Sequence, residues 1–388
     1  MTDWSPREEW GPVREDRVPG ATGAYADARS RCPVARSDVF GNAWVVLSRD
    51  LVNEVALDTR TFSNVLPLFG VRRPPLESDP PEHTRYRRWL NPYFGKERLD
   101  ALEPRVRAVA GEMLAGLAAE GRADFAARFS HPFPTRVLCM LMDLPDEDWE
   151  LINAWSQKVD RAGGQEAPGS AARSAVGAEL EPYMAEIIAR RRTAPGDDVI
   201  SGLLQAETDG VPLPEEAVVG IVMLLISAGH NTTTGGIGSA VLRLARDPEL
   251  QERLRADPSL IPAAVEEVLR LDAPQQAMRR VATREVVLGG RRIRAGEGVW
   301  PVFGAANLDP DALADAAEFR PDRRPNRHAA FGKGIHLCIG APLARLQMRV
   351  VLEELLARTS SFKVAGQVER PDWPRMGVDR LPLRLTPR

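Results

Sequence analysis

The sequence predicts a mainly α protein, a helical bundle with a small β-rich portion, folded as a single domain over residues 1–388. Three observations carry this expectation. Apolar residues recur at three-to-four spacing through most of the chain beyond residue 83, which is the period of a half-buried helix. A short glycine-turned segment near residue 289 breaks that period, and no internal repeat or low-complexity tract divides the chain.

Residues 1–42 are rich in Gly, Pro and Arg with little period. Ala43 to Leu47 reads as a short apolar strand, with a helix start at Ser48. Helical spacing follows over Leu99 to Leu117, Asp146 to Val159, Ala171 to Arg192 and Asp197 to Ala206, with Pro and Gly between them. The segment Gly163 to Gly169 is either a surface connection or the hinge of a lid. Pro214 to Arg246 forms one long helix and Pro262 to Leu271 a shorter one. Val286 to Gly296 reads as a hairpin turning at Gly289-Gly290, followed by a strand from Gly298 to Phe303. Ala341 to Leu356 returns to helix.

Composition narrows the function classes. With 44% hydrophobic and 27% charged residues the chain is ordinary globular material with ample core. A net charge of −3 provides no broad basic field, so nucleic acid is not an expected partner. The first residues lack a secretory pattern, and the longest apolar run, Gly220 to Gly229, is shorter than a bilayer span, so a cytoplasmic protein without a membrane partner is expected. Cys32, Cys139 and Cys338 have neither disulfide-framework nor zinc-site spacing.

The most informative segment is Phe331-Gly-Lys-Gly-Ile-His-Leu-Cys-Ile-Gly340, which runs into the helix at Ala341. Gly332, Gly334 and Gly340 allow tight backbone conformations and close approach to a flat ligand. The following helix places its N-terminal dipole beside Cys338, favouring the thiolate that binds metal. This run, Phe-Gly-x-Gly-x-His-x-Cys-x-Gly, resembles the signature of the cytochrome P450 family, in its bacterial, soluble class, at every fixed position.

The resemblance extends from about residue 40 to the C-terminus and implies the cytochrome P450 fold around one haem b (iron protoporphyrin IX). It implies Cys338 as axial iron ligand, Phe331 packed near the sulfur, and His336 on a haem propionate. Asp79-Pro-Pro-Glu-His83-Thr-Arg-Tyr-Arg87 is similar to the family's His-x-x-x-Arg helix. Its spacing puts His83 and Arg87 on one face, where two cations could meet one carboxylate. Arg280 resembles a further propionate-binding arginine, more so than Arg279 beside it. Glu267-Val-Leu-Arg270 is similar to the family's structural Glu-x-x-Arg, with Arg320, Arg323 or Arg324 as its third member.

Ala228-Gly229-His230-Asn231-Thr232-Thr-Thr, inside the long helix, resembles the family's oxygen-activating Ala-Gly-x-(Asp/Glu)-Thr-Thr. A mid-helix glycine costs roughly 1 kcal/mol, and room for O2 is one reason to keep Gly229. Thr232 is implied in oxygen activation, beside an acid that relays protons. Here that acid is replaced by Asn231, which cannot ionise. His230 is a possible substitute through water or a distorted turn, because imidazole titrates near neutral pH.

The implied activity is a monooxygenase that inserts one atom of O2 into a hydrophobic small molecule, in secondary metabolism. The alternative that Asn231 raises is a haem-thiolate enzyme with peroxide-driven or group-transfer chemistry. By analogy the substrate pocket draws on Leu66, Phe69, Met223, Ser227, Ala277 and Met278. Arg72 and Arg73 read as solvated loop cations or as partners of a substrate carboxylate. No flavin, nicotinamide or iron–sulfur motif is present, so a ferredoxin-type electron donor with its reductase is implied. Arg85, Arg88, Lys333, Arg345 and Arg349 are candidates for its docking.

Overall fold

The computed structural model describes residues 22–37, 42–66, 72–165, 170–208 and 210–388. The chain forms two compact units, each assembled from separated segments. The first takes Met1–Leu66, Glu266–Cys338 and Asp372–Met376; the second takes Pro67–Val265, Ile339–Pro371 and Gly377–Arg388.

In the first unit, α1 (Thr22–Arg31), β1 (Val34–Ser37), β2 (Ala43–Val46), α2 (Arg49–Leu57) and β3 (Phe62–Ser63) come from the N-terminal segment. The sequence pattern missed α1 and β1, because α1 has almost no apolar face of its own. It is held through Tyr25, a fully buried side chain whose hydroxyl donates to Gln276 at 2.7 Å and accepts from the Trp373 indole at 2.8 Å.

The second unit is the helical one. It contains α3 (Glu82–Leu90), α4 (Lys96–Glu120), β4 (Arg122–Asp124), a π-helical turn over Ala126–Ser130, α5 (Pro132–Met142), α6 (Trp149–Gln165), α7 (Ala171–Ala178), α8 (Glu181–Thr193) and α9 (Val199–Leu204). The single helix expected over Ala171 to Arg192 is broken between α7 and α8, where Pro182 suits only the first turn of a new helix. Helix α6 continues through Gly163 to Gln165, and residues 166–169 of the expected connection lie outside the described residues. A small hairpin, β5 (Glu207–Thr208) with β6 (Val211–Pro212), leads to α10 (Glu215–Arg246). Helix α10 is 32 residues long and apolar enough to cross a membrane by length and composition, yet 67% of its apolar window is buried inside the protein. It is the core of this unit.

After α11 (Pro248–Ala256) and α12 (Ile261–Leu271), the chain supplies the first unit with β7 (Arg280–Ala282), β8 (Val286–Leu288), β9 (Arg291–Ile293), β10 (Gly298–Pro301) and α13 (Phe303–Asn307). The sheet order is β1-β2-β10-β7-β3, with β2 and β10 parallel and the other pairs antiparallel. All four residues of β10 are buried, as its central position requires. Phe303, expected as the end of this strand, instead starts α13. The β8–β9 hairpin turns at Gly289 and Gly290 with φ of +54° and +78°, the geometry that two-residue hairpin turns demand.

The second unit is completed by α14 (Ala341–Arg358), β11 (Thr359–Val364) and β12 (Pro382–Pro387), the strands pairing in the order β11-β12-β4. Helices α4 and α14 are joined by an ion network. Arg107 meets Glu353 at 2.6 Å and Glu354 at 2.8 Å, and Arg349 meets Glu103 at 2.6 Å.

Candidate active site

The loop of Phe331 to Gly340 closes on itself. The Cys338 amide donates to the Phe331 carbonyl at 2.9 Å, and Gly334–His336 forms a 3-10 turn between them. Gly332 and Gly334 have φ of +73° and +68°, and a Cβ on Gly334 would lie 3.1 Å from the Ala56 carbonyl oxygen. Gly340 takes an ordinary φ of −78° as the residue preceding α14, so the expected tight geometry holds at two of the three glycines. Half-buried Phe331 and His336 lie on this loop, and Cys338 is exposed with Leu337 beside it.

This donor set suits a porphyrin-bound iron. Among the described residues no group of three or more His, Cys, Asp or Glu is placed to hold a metal ion. A porphyrin brings four nitrogens of its own and asks the protein for one exposed axial donor, which the Cys338 loop presents.

His83 and Arg87 lie on one face of α3 in the second unit, whereas Arg280 on β7 and His336 belong to the first. His83 is only 3% exposed; burial, and then the Arg87 charge, push its pKa below the ordinary histidine value. On this face Arg87 is the fixed cation, and His83 takes up a proton less readily than an ordinary histidine. Arg280 is 4% exposed and donates to the Arg279 carbonyl at 2.9 Å.

Glu267 and Arg270 form a fully buried bidentate pair at 2.7 and 2.8 Å. The third member is Arg323, whose Nε donates to Glu267 at 3.0 Å. Arg320 contributes its backbone N–H at 2.9 Å, and Asn326, which the sequence did not suggest, donates at 3.0 Å. Burial would raise the Glu267 carboxyl, but the donors from Arg270, Arg320 and Arg323 outweigh it and hold the pKa below its usual value.

Helix α10 opens at its middle. Ala228 is exposed within an otherwise buried stretch, and Leu224 and Thr232, one turn to either side on the same face, are half-buried. The Thr232 hydroxyl donates to the Ala228 carbonyl at 2.7 Å. Gly229, half-buried beside Ala228, packs against α5 in the direction a side chain would take. A Cβ there would come 2.8 Å from Leu138, so the glycine allows α5 to approach.

The expected substitution of His230 for the missing acid fails. His230 is 1% exposed, with Nε2 3.1 Å from the His131 carbonyl oxygen and Nδ1 2.5 Å from Asn231 Oδ1. Burial and the neighbouring His131 ring push its pKa down to about 4, so it carries no acidic proton at neutral pH.

Of the substrate-pocket residues, Leu66 is half-buried, Ser227 is 7% exposed, and Phe69 lies outside the described residues. Met223 and Ala277 are fully buried, and Met278 packs against the Val34–Phe62–Val299 core cluster. Sequence reasoning underrated Arg73. It is 3% exposed, and its guanidinium donates to Ser227 Oγ at 3.3 Å, one turn before Asn231. Gly220 lets that chain segment lie on α10, since a Cβ there would sit 2.1 Å from the Arg72 carbonyl oxygen. Arg72 remains an exposed cation, paired with Glu82.

Comparison with known proteins matches residues 168–381 to the family model described as Cytochrome P450. The chain is 36% identical to the mycinamicin IV hydroxylase/epoxidase of Micromonospora griseorubida, covering 94% of each chain. It is 34% identical to the vitamin D(3) 25-hydroxylase of Pseudonocardia autotrophica, again covering 94% of each. Its structure is similar to that of CYP109E1 from Bacillus megaterium in complex with testosterone, with a TM-score of 0.83 at 33% identity, covering 94% of this chain and 99% of that one.

Proposed function

The chain belongs to the cytochrome P450 family and is a haem-dependent monooxygenase, and from that premise we propose that Cys338 is its axial thiolate and that its substrate is a hydrophobic natural product of macrolide or steroid size. The observation that carries the reading is the self-closed loop that presents Cys338, with its amide on the Phe331 carbonyl at 2.9 Å. That bond fixes the backbone at the sulfur and points the thiol outward ahead of α14, whose N-terminal dipole favours the thiolate.

When bound, the haem would supply the iron that activates O2 with two electrons from the external donor and two protons, so that one oxygen atom enters the substrate and the other leaves as water. The chain's own residues hold and shape this site. Arg87 and Arg280 would contribute charge to the propionates, and His83 and His336 ring N–H donors. Ala228 and Thr232, on the opened face of α10, would serve oxygen activation, the Thr232 hydroxyl exchanging its bond to the Ala228 carbonyl for one to the bound oxygen. Glu267 and Arg270 act structurally, with Arg323.

Relatives named as a mycinamicin IV hydroxylase/epoxidase and a vitamin D(3) 25-hydroxylase, and a similar structure solved with testosterone, support the substrate class. Arg85 and Arg88, exposed on α3, support docking of an acidic ferredoxin-type donor supplied by its reductase. We read the two units as one catalytic domain, since the chain passes between them at 66/67, 265/266, 338/339, 371/372 and 376/377. We place the enzyme in the cytoplasm. The peroxide-driven or group-transfer reading draws no support from the relatives, which include a hydroxylase/epoxidase and a 25-hydroxylase.

A ligand screen tests the substrate assignment. Macrolides and steroids are expected to shift the haem Soret band on binding and to be hydroxylated when ferredoxin, reductase and NAD(P)H are supplied. Failure of both panels to shift the band contradicts it.

A further inference from the structure

Helix α12 carries two consecutive carboxylates, and successive helical residues point about 100° apart, so Glu266 and Glu267 grip different places. Glu267 takes Arg270, Arg323 and Asn326. Glu266 meets His328, whose Nε2 lies 3.1 Å from its Oε2. The His328 side chain is 3% exposed. On the other edge of the ring, Nδ1 accepts the Ala330 backbone N–H at 3.2 Å. A backbone amide only donates and a carboxylate only accepts, so a single ring hydrogen, on Nε2, satisfies both partners. A carboxylate behind one nitrogen of an imidazole makes the other a stronger acceptor.

His328 stands at the entrance of the Cys338 loop. Its ring lies against Phe331, with centroids 5.9 Å apart and planes tilted by 45°. The Ala329 amide donates to the buried Asn307 Oδ1 at 2.6 Å, and the Gly332 amide to the Ala329 carbonyl at 2.9 Å. Phe331 sits between these anchors and offers its carbonyl to the Cys338 amide at 2.9 Å. A path of contacts therefore runs from the Glu266 carboxylate through the imidazole, Ala330 and Phe331 to the backbone of Cys338. All of it lies within Glu266–Cys338, a single segment of the first unit.

We propose that His328 is a positioning residue for Cys338: polarised by Glu266, it holds the Ala330 amide and the Phe331 ring, and so fixes the carbonyl on which the Cys338 amide rests. Its purpose rests on the reading of Cys338 as the axial thiolate. Leucine at residue 328 fills much of the ring's volume but takes neither the Ala330 amide nor the Glu266 carboxylate. Asparagine there keeps the first bond alone, because its side-chain oxygen readily accepts the N–H two residues on.

Hydrogen exchange of the holoenzyme, read by mass spectrometry on peptides spanning residues 329–340, tests this together with the reduced carbon-monoxide spectrum. His328→Leu is expected to speed exchange in the loop about tenfold, the protection that a hydrogen bond of this kind provides, and to lose part of the red-shifted thiolate band. His328→Asn is expected to exchange more slowly than His328→Leu and to recover part of the band. Glu266→Gln, which keeps an acceptor but not the charge, is expected to fall between the wild type and His328→Leu. Peptides from α10 are expected to exchange as in the wild type throughout, which separates positioning from a general loss of stability. Wild-type loop exchange in His328→Leu overturns the proposal, as does a His328→Asn variant no better than His328→Leu. Where His328→Leu does not fold, loop exchange in Glu266→Gln equal to that of the wild type overturns it. Exchange is read whatever the wild-type band shows, so a missing band sinks the Cys338 reading, whereas unchanged exchange beside a normal band sinks this inference alone.

Discussion

Arg323 donates through Nε to Glu267 at 3.0 Å, from a position 56 residues along the chain, and completes a buried carboxylate that accepts from Arg270, Arg323, Asn326 and the Arg320 amide. Removing one partner from such a cluster strands the others without compensation. Glu267→Ala is expected to lower stability by about 3–5 kcal/mol, measured by chemical denaturation. Arg323→Lys keeps the charge but loses the fork geometry and is expected to fall between the wild type and Glu267→Ala.

The stability of the enzyme in mild acid reports the burial of His230. Its folded pKa of about 4 lies below the unfolded value of about 6.5, so the unfolded chain binds the extra proton first. The neutral ring's contribution is complete above about pH 6.5 and falls as pH drops toward 4, by roughly 3 kcal/mol in total. His230→Gln removes this ionisation, and its stability is expected to fall less steeply than that of the wild type between those limits. Parallel pH–stability curves contradict the assignment.

Gly220→Ala places a methyl group against the Arg72 carbonyl oxygen, where backbone rather than a flexible side chain must move. A cost of about 1–3 kcal/mol is expected, together with weaker binding of substrates that shift the haem spectrum, because Arg73 is displaced from Ser227. Gly229→Ala meets only the end of Leu138 and is expected to cost less.

Much of the fold is legible in the sequence because the long elements carry their own period. Helices α10 and α14 and the β8–β9 hairpin follow from apolar spacing and from the Gly289-Gly290 turn. Short elements held by distant partners do not. Helix α1 depends on Gln276 and Trp373, and β12 depends on β4 and β11. In the site, Cys338 and the Glu267–Arg270 pair follow from motif and spacing. The choice of Arg323, the burial of Arg73 and the neutrality of His230 do not, since each depends on a contact across many residues. The π turn before α5, which supplies the His131 carbonyl, has no signal in apolar spacing.

Charge on α3 and on α14 should separate docking from folding. Reversing Arg85 and Arg88, both exposed, is expected to slow association with a ferredoxin about tenfold at low salt and to flatten its ionic-strength dependence. Arg349 was a sequence candidate for the same patch, but it is engaged by Glu103 and Glu353. Arg349→Gln is expected to lower thermal stability while leaving donor association near its wild-type rate, and stopped-flow reduction of the haem measures both variants.

The central assignment is the thiolate of Cys338, and the reduced carbon-monoxide difference spectrum tests it most directly. Wild-type enzyme is expected to give the red-shifted thiolate band, and Cys338→Ala to lose it while circular dichroism shows the helices intact. A wild-type spectrum without that band, or a Cys338→Ala variant that keeps it, contradicts the account.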